Sequence, residues 1–129
     1  MTAMPVIALV IIGLLVGSFP SQALGQGPET LFQEGKKIFE NTCADCHRVN
    51  GQGLPEKFPA LDKNPFVLGD PAKVIDTVLQ GRKGKLGQMP TWKDTLNDRQ
   101  TAAVITYVRQ GWSNKGTAVT PEAVKKRRK

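Results

Sequence analysis

Within 129 residues there is one histidine, two cysteines and one tyrosine, and aromatic residues make up only 6% of the chain. Three Cys and His residues with no second cluster fall short of the four ligands of a structural zinc site. So few aromatics leave a core of Val, Ile and Leu that is modest for this length unless it wraps around a bound group. Strand-like alternation is also missing, since no stretch alternates convincingly between polar and apolar residues. Outside the last five residues there is little excess of positive charge. Lys and Arg number 18 against 11 acidic residues, a balance of +7, but Lys125 to Lys129 supply five of them and leave 13 against 11, or +2. A nearly neutral body with a cationic tail argues against a nucleic-acid surface spread over the fold, so no nucleic-acid partner is expected. The length fits one domain.

One long uncharged run exists, residues 5 to 19, followed by Pro20 and the small-x-small triplet Ser21-Gln22-Ala23. Its apolar core is as long as the central region of a secretory signal and falls short of the roughly 20 residues a spanning helix requires. Residues 1–23 are expected to be a signal peptide cleaved after Ala23, with the remainder periplasmic or otherwise extracytoplasmic. The first four residues carry no Lys or Arg, which keeps an uncleaved membrane anchor as a second reading. A buried core helix would need a polar face and caps that are missing here. No cysteine lies near residue 23, which excludes a lipoprotein anchor. In an oxidising compartment the two cysteines need a defined fate.

They occur as Cys43-Ala44-Asp45-Cys46-His47, the C-x-x-C-H spacing of covalent haem c attachment. Two thiols on one helical turn reach the two vinyl groups along a haem edge, and the adjacent imidazole supplies an iron ligand. A Cys43–Cys46 disulfide with a chance histidine competes with this reading, as do a thioredoxin-like redox pair and a zinc site. The redox pair would need a preceding strand and a βαβ context, whereas the flanks read as helix and loop. If His47 holds one face of the iron, elimination points to the other ligand. Met89 is the single methionine beyond residue 23, and no second histidine exists. It lies in Gly87-Gln88-Met89-Pro90, read as a polar loop between helices, where a methionine has little packing reason to be. Core packing of Met89, with lysine or water on the iron, is the alternative.

Apolar spacing predicts three main helices. The first runs from about 30 to 41 with Leu31, Gly35, Ile38 and Phe39 inward and Thr30 with Gln33 as a capping box. The second runs from about 71 to 80, capped by Asp70 with Pro71 in the first turn and ended by Gly81. A third starts after Asn97, has Gln100 three residues on, and carries Ala103, Val104, Tyr107 and Val108 on one face until Gly111. Thr120-Pro121-Glu122 can open a short last helix with too little apolar surface to dock firmly, so the Lys125 to Lys129 end is expected to be mobile. The expected division is a signal over 1–23, one domain over 24–115 and a basic tail over 116–129.

With these elements in place the chain resembles a small class I monohaem c-type cytochrome over residues 28 to 115. The resemblance rests on Gly35-Lys36-Lys37-Ile38-Phe39 before the haem motif and on Phe58-Pro59-Ala60-Leu61 after it. Met89-Pro90 and the run Ala102 to Arg109 complete it. It implies an all-α cytochrome c fold, three main helices and loops wrapped around one covalently attached haem. It implies a crossing of the first and last helices at Gly35 with Phe39 and Tyr107 in contact. It also implies that the carbonyl of Pro59 accepts the hydrogen bond from the outer imidazole nitrogen of His47, with Pro55 as the competing residue. Cofactor-binding positions are therefore Cys43, Cys46, His47, Met89 and Pro59, with His47 and Met89 on the metal. Leu61, Phe66, Leu68 and Leu79 are crevice candidates, Gly51 and Gly53 permit a turn past the haem edge, and Trp92, Arg82, Lys83 and Lys85 are propionate candidates.

Two filled axial positions leave no open site for substrate, so the expected function is one-electron transfer rather than catalysis. The expected role is a periplasmic carrier, a monomer, between a donor dehydrogenase or quinol-oxidising complex and an acceptor oxidase or reductase. A dedicated cytochrome c subunit of such a complex is the close alternative. A haem sensor or peroxidase with a labile Met89 is a more distant one, for want of a distal His or Arg pair. The basic tail offers peripheral contact with an anionic membrane surface.

Overall fold

The computed structural model describes residues 28–85 and 87–129. The expected signal segment lies outside these residues. In chain order the elements are α1 (Pro28–Thr42), α2 (Ala44–His47), α3 (Pro65–Leu68), α4 (Pro71–Gln80), β1 (Arg82–Gly84), β2 (Gly87–Met89), α5 (Asp98–Gln110) and α6 (Pro121–Arg127). The architecture is mostly helical, as expected, with one addition. Arg82–Gly84 and Gly87–Met89 pair as an antiparallel hairpin in the register Arg82 to Met89. Three residues per strand, one of them glycine in each, are too few to show alternation in sequence.

Local rules explain the helix ends. Asp70 accepts a hydrogen bond from the Ala72 amide and Pro71 opens α4, whose last turn closes on Gly81. Asn97 and Gln100 form the reciprocal capping box of α5. Helix α1 already begins at Pro28, ahead of the expected start, and so includes Thr30. Helix α3 was not foreseen; Asn64 caps it by accepting from the Phe66 and Val67 amides.

Helix α5 is the centre of the molecule. Nine consecutive residues, Thr101 to Arg109, are buried, and α1, α3, α4 and α6 all pack against it. The α1 crossing is tight at Gly35, where a Cβ would stand 1.9 Å from the Ala103 carbonyl oxygen. Around it Phe39 and Phe32 lie 5.4 and 5.1 Å from Tyr107, centroid to centroid, within the range of favourable aromatic pairs.

The C-terminal end is docked, contrary to the mobility expected of it. Buried Thr106 exchanges hydrogen bonds with the backbone of Val119. Val124 of α6 is fully buried. Arg127 then pairs with Asp76, and Arg128 with Asp98 and with the Leu96 carbonyl. One apolar anchor suffices because two guanidinium groups find carboxylates on α4 and α5. Arg109, buried at 3% exposure, joins distant segments by donating to the carbonyls of Val67, Gly69 and Thr117 and to the Thr117 hydroxyl. Burial pulls its pKa down and Asp70 pushes it up.

Two expectations follow. Gly35→Ala forces α1 and α5 apart and should destabilise by about 1–3 kcal/mol, the usual penalty of overpacking, read as a lower thermal midpoint. The hydrogen bonds and charge of Arg127 hold the Asp76 carboxyl below its usual range. That stabilisation is therefore present above the unfolded carboxylate value of about 4 and fades as pH falls through the lower folded one. Asp76→Asn should remove this part of the acid dependence, checked by unfolding wild type and variant between pH 2 and pH 7.

Candidate functional site

The C-x-x-C-H motif closes into a single helical turn. The amides of Cys46 and His47 both donate to the Cys43 carbonyl, at 3.2 and 2.9 Å. Cys43 and Cys46 are free and half-buried. Burial pushes the Cys43 thiol up, against a weaker opposing effect of the Thr42 hydroxyl, which lies 3.3 Å from its sulfur.

His47 donates from Nδ1 to the Pro59 carbonyl at 3.0 Å. With the proton held on Nδ1, Nε2 carries the free lone pair, the state a metal-ligating imidazole needs. Burial lowers the pKa of the ring, only partly offset by the Pro59 bond, so the imidazole is neutral at pH 7. Pro59 is presented by a turn in which Leu54 and Phe58 exchange backbone hydrogen bonds at 2.9 and 2.8 Å. Pro55, the competing residue, begins that turn, and the carbonyl that His47 meets is that of Pro59. Gly53, at φ +61°, makes the approach possible: a Cβ there would stand 2.6 Å from the Pro59 oxygen and 2.4 Å from that of Phe58.

Cys43, Cys46, His47, Pro59 and Met89 all line one cavity of about 670 Å³, a size in the range of cofactor sites. Met89 enters from the hairpin, not from an irregular loop. Its strand is held at one side by pairing with Arg82. Just beyond it, the Thr91 hydroxyl donates to the Leu79 carbonyl and the Trp92 amide to that of Val78, at 2.5 and 3.0 Å. Phe39, Leu61, Phe66, Val74, Val104 and Val108 supply an apolar wall, and Trp92, Lys57, Arg82 and Lys85 also face the cavity. Arg82 stacks over the Phe66 ring at 4.6 Å.

Two crevice candidates are misplaced. Leu68 is 37% exposed and Leu79 is fully buried in the core, and neither borders the cavity. The reason is helical phase: Val78 of α4 and Val67 of α3 take the cavity positions, turning their neighbours outward or inward. Lys83 does not border the cavity either. The donor set fits a haem c: two thiols and an imidazole on one turn, one thioether, and apolar walls that a flat hydrophobic ring system would cover. Among the described residues there is no cluster of three or more His, Cys, Asp or Glu suited to a bare metal ion.

Comparison with known proteins agrees with the site. A family model described as Cytochrome C oxidase, cbb3-type, subunit III, matches residues 30–108. The gluconate 2-dehydrogenase cytochrome c subunit of Pantoea cypripedii is 33% identical over 119 residues, 84% of this chain and 26% of the relative. The cytochrome c subunit of alcohol dehydrogenase (quinone) from Gluconobacter oxydans strain 621H is 32% identical over 88 residues, 62% of this chain and 18% of the relative. A cbb3-type cytochrome c oxidase subunit FixP from Bradyrhizobium sp. strain ORS 278 is 37% identical over 76 residues, 57% and 25% of the two chains. The chain thus spans about a quarter or less of the length of these relatives.

Gly53→Ala places a methyl group against the carbonyl that His47 uses, at a backbone angle costing roughly 1–2 kcal/mol for a non-glycine residue. The thermal midpoint of the exported protein should fall by several degrees, at roughly 4–8 °C per kcal/mol for a domain of this size. An unchanged midpoint would mean that Gly53 does not confine the Pro59 turn.

Proposed function

The chain belongs to the Cytochrome C oxidase, cbb3-type, subunit III family of c-type cytochromes, which transfer electrons through a covalently bound haem c, and we propose that Cys43 and Cys46 carry the covalent attachment while His47 and Met89 are the axial ligands. The observation that carries this assignment is the convergence of all four side chains on one apolar cavity, with the outer nitrogen of His47 already bonded to Pro59. Haem c supplies reversible one-electron chemistry between Fe(III) and Fe(II).

The protein's residues do the tuning. Pro59 holds the His47 proton on Nδ1 and strengthens the imidazole as a donor. The hairpin and its anchors at Thr91 and Trp92 keep the Met89 thioether at the cavity, favouring the reduced metal and a fairly high potential. The apolar wall excludes water and with it the exchange of ligands. With His47 and Met89 both holding the iron, the domain would act as an electron carrier.

The proposed setting is periplasmic, with export directed by residues 1–23, the domain over 24–115 and a basic extension over 116–129. No helix among the described residues is long and apolar enough to cross a membrane. Donor and acceptor are redox proteins: a dehydrogenase or quinol-oxidising complex on one side, an oxidase or reductase on the other. A permanent place in such a complex is the second reading, favoured by relatives whose names make them cytochrome c subunits. Co-purification in a fixed ratio separates subunit from monomeric shuttle. Arg127 and Arg128 are engaged within the fold and Lys129 lies in the field of Asp76, so Lys125 and Lys126 are the tail charges that remain for an anionic lipid surface, at about 1 kcal/mol each close to it.

Visible spectra of the exported protein, oxidised, reduced, and reduced under carbon monoxide, test the assignment. Wild type should be low-spin and indifferent to carbon monoxide. Met89→Ala should keep the haem attached and bind carbon monoxide readily; if it binds no better than wild type, Met89 is not the ligand.

A further inference from the structure

Three consecutive residues beyond α5 are pinned to the loop that carries Pro59, and nothing in their sequence marks them for the site. The indole Nε1–H of Trp112 donates to the Val49 carbonyl at 2.9 Å. The amide and hydroxyl of Ser113 donate to Asp62 Oδ1 at 3.1 and 2.6 Å. Asn114, 3% exposed, donates through Nδ2 to the carbonyls of Leu61 and Val108 at 3.0 and 2.8 Å, and its Oδ1 accepts from the Lys63 amide at 2.8 Å. These bonds grip both ends of the segment from 49 to 63.

The neck of the loop is closed between the two grips, where the Gly51 carbonyl accepts from the amides of Leu61 and Asp62 at 2.7 and 3.1 Å. Gly51 lies against the Trp112 ring so closely that a Cβ would stand 2.7 Å from it. Trp112 itself has φ +53°, a left-handed conformation rare for a bulky residue and sustained only where the surroundings over-determine it. Its ring is held edge-on against Phe39 and Tyr107, at 5.3 and 5.5 Å. The chain therefore accepts strain at Trp112, and three successive side chains meet one loop. The Ser113 hydroxyl also keeps the Asp62 carboxyl below its usual range, an ionised acceptor at neutral pH.

We propose that Trp112, Ser113 and Asn114 are positioning residues for the electron-transfer site, holding the 49–63 loop closed so that the Pro59 carbonyl stays on the His47 Nδ1–H and sets the reduction potential. The proposal rests on the reading of His47 as an iron ligand. The carbonyl makes the imidazole more basic. A more basic ligand favours the oxidised metal, so a loosened loop raises the potential. Phe39 both packs on Trp112 and lines the cavity, which ties the clasp to the site through packing as well as through the loop.

Trp112→Phe keeps a ring in the cluster and removes the indole N–H, while Ser113→Ala removes only a surface hydroxyl and carries the test if the first variant fails to fold. Both are made in the full exported chain. Spectra come first: a wild type without attached low-spin haem overturns the His47 reading, and this proposal with it. Given normal spectra, redox titration should give each variant a higher potential than wild type. By NMR of the reduced protein, the His47 Nδ1–H should exchange with solvent roughly tenfold faster, as expected for loss of one hydrogen bond in the loop. Val124→Ala, which loosens α6 on α5 away from the loop, should lower thermal stability and leave both readouts unchanged. Unchanged potential and exchange in variants with intact spectra overturn the clasp alone, and so does a potential shift in Val124→Ala equal to theirs.

Discussion

The approach of α1 to α5 at Gly35 determines where the rest of the molecule can go. With no side chain at Gly35, the Ala103 carbonyl occupies the space a Cβ would need, and α5 is drawn inward until nine successive residues are buried. A helix buried on every side has to satisfy every neighbour at once. One face of α5 takes the aromatic cluster of Phe32, Phe39 and Tyr107. Others turn Val104, Ile105 and Val108 to the cavity, offer Thr106 to the Val119 backbone, and send Arg109 to three separate carbonyls. One helix thus lines the cavity and anchors α1, α3, α4 and α6 around it.

The cavity explains the poverty of aromatic residues noted at the outset. Leu61, Phe66, Val74 and Val104 border the cavity that the proposed haem site would fill. Apolar surface covered there stabilises at about 25 cal/mol per Å², so haem c is a structural component of this small domain as well as its redox group. The same low-polarity surroundings keep His47 neutral and make its single bond to Pro59 count for more than it would in water.

Charge is handled differently in the two halves of the C-terminal end. Arg127 and Arg128 are consumed in docking α6 on Asp76 and Asp98, whereas Lys125 and Lys126 stay exposed. Arginine is suited to the first task, since the fork of Arg127 engages Asp76 with two donors while Arg128 divides its donors between Asp98 and the carbonyls of Lys93 and Leu96, and lysine to the second, as a hydrated point charge. What reads as one basic run is two devices in five residues.

The amino-acid sequence by itself determined whatever depends on residues a few positions apart. The C-x-x-C-H turn, the Asp70–Pro71 start of α4, the Asn97–Gln100 box of α5 and the standing of Met89 as the sole thioether beyond residue 23 are short-range facts. Caps, turns and haem attachment all operate over three or four residues. Tertiary structure alone decided the pairing of strands too short to show a period, the docking of α6 through one valine and two arginines, and the displacement of Leu68 and Leu79 from the crevice. It also decided the burial of Arg109 and the grip of Trp112, Ser113 and Asn114 on a loop about 50 residues earlier. These rest on carbonyls, carboxylates and ring faces brought together only when α1 and α5 cross, and a hydrogen bond between residues 112 and 49 leaves no periodic trace in either.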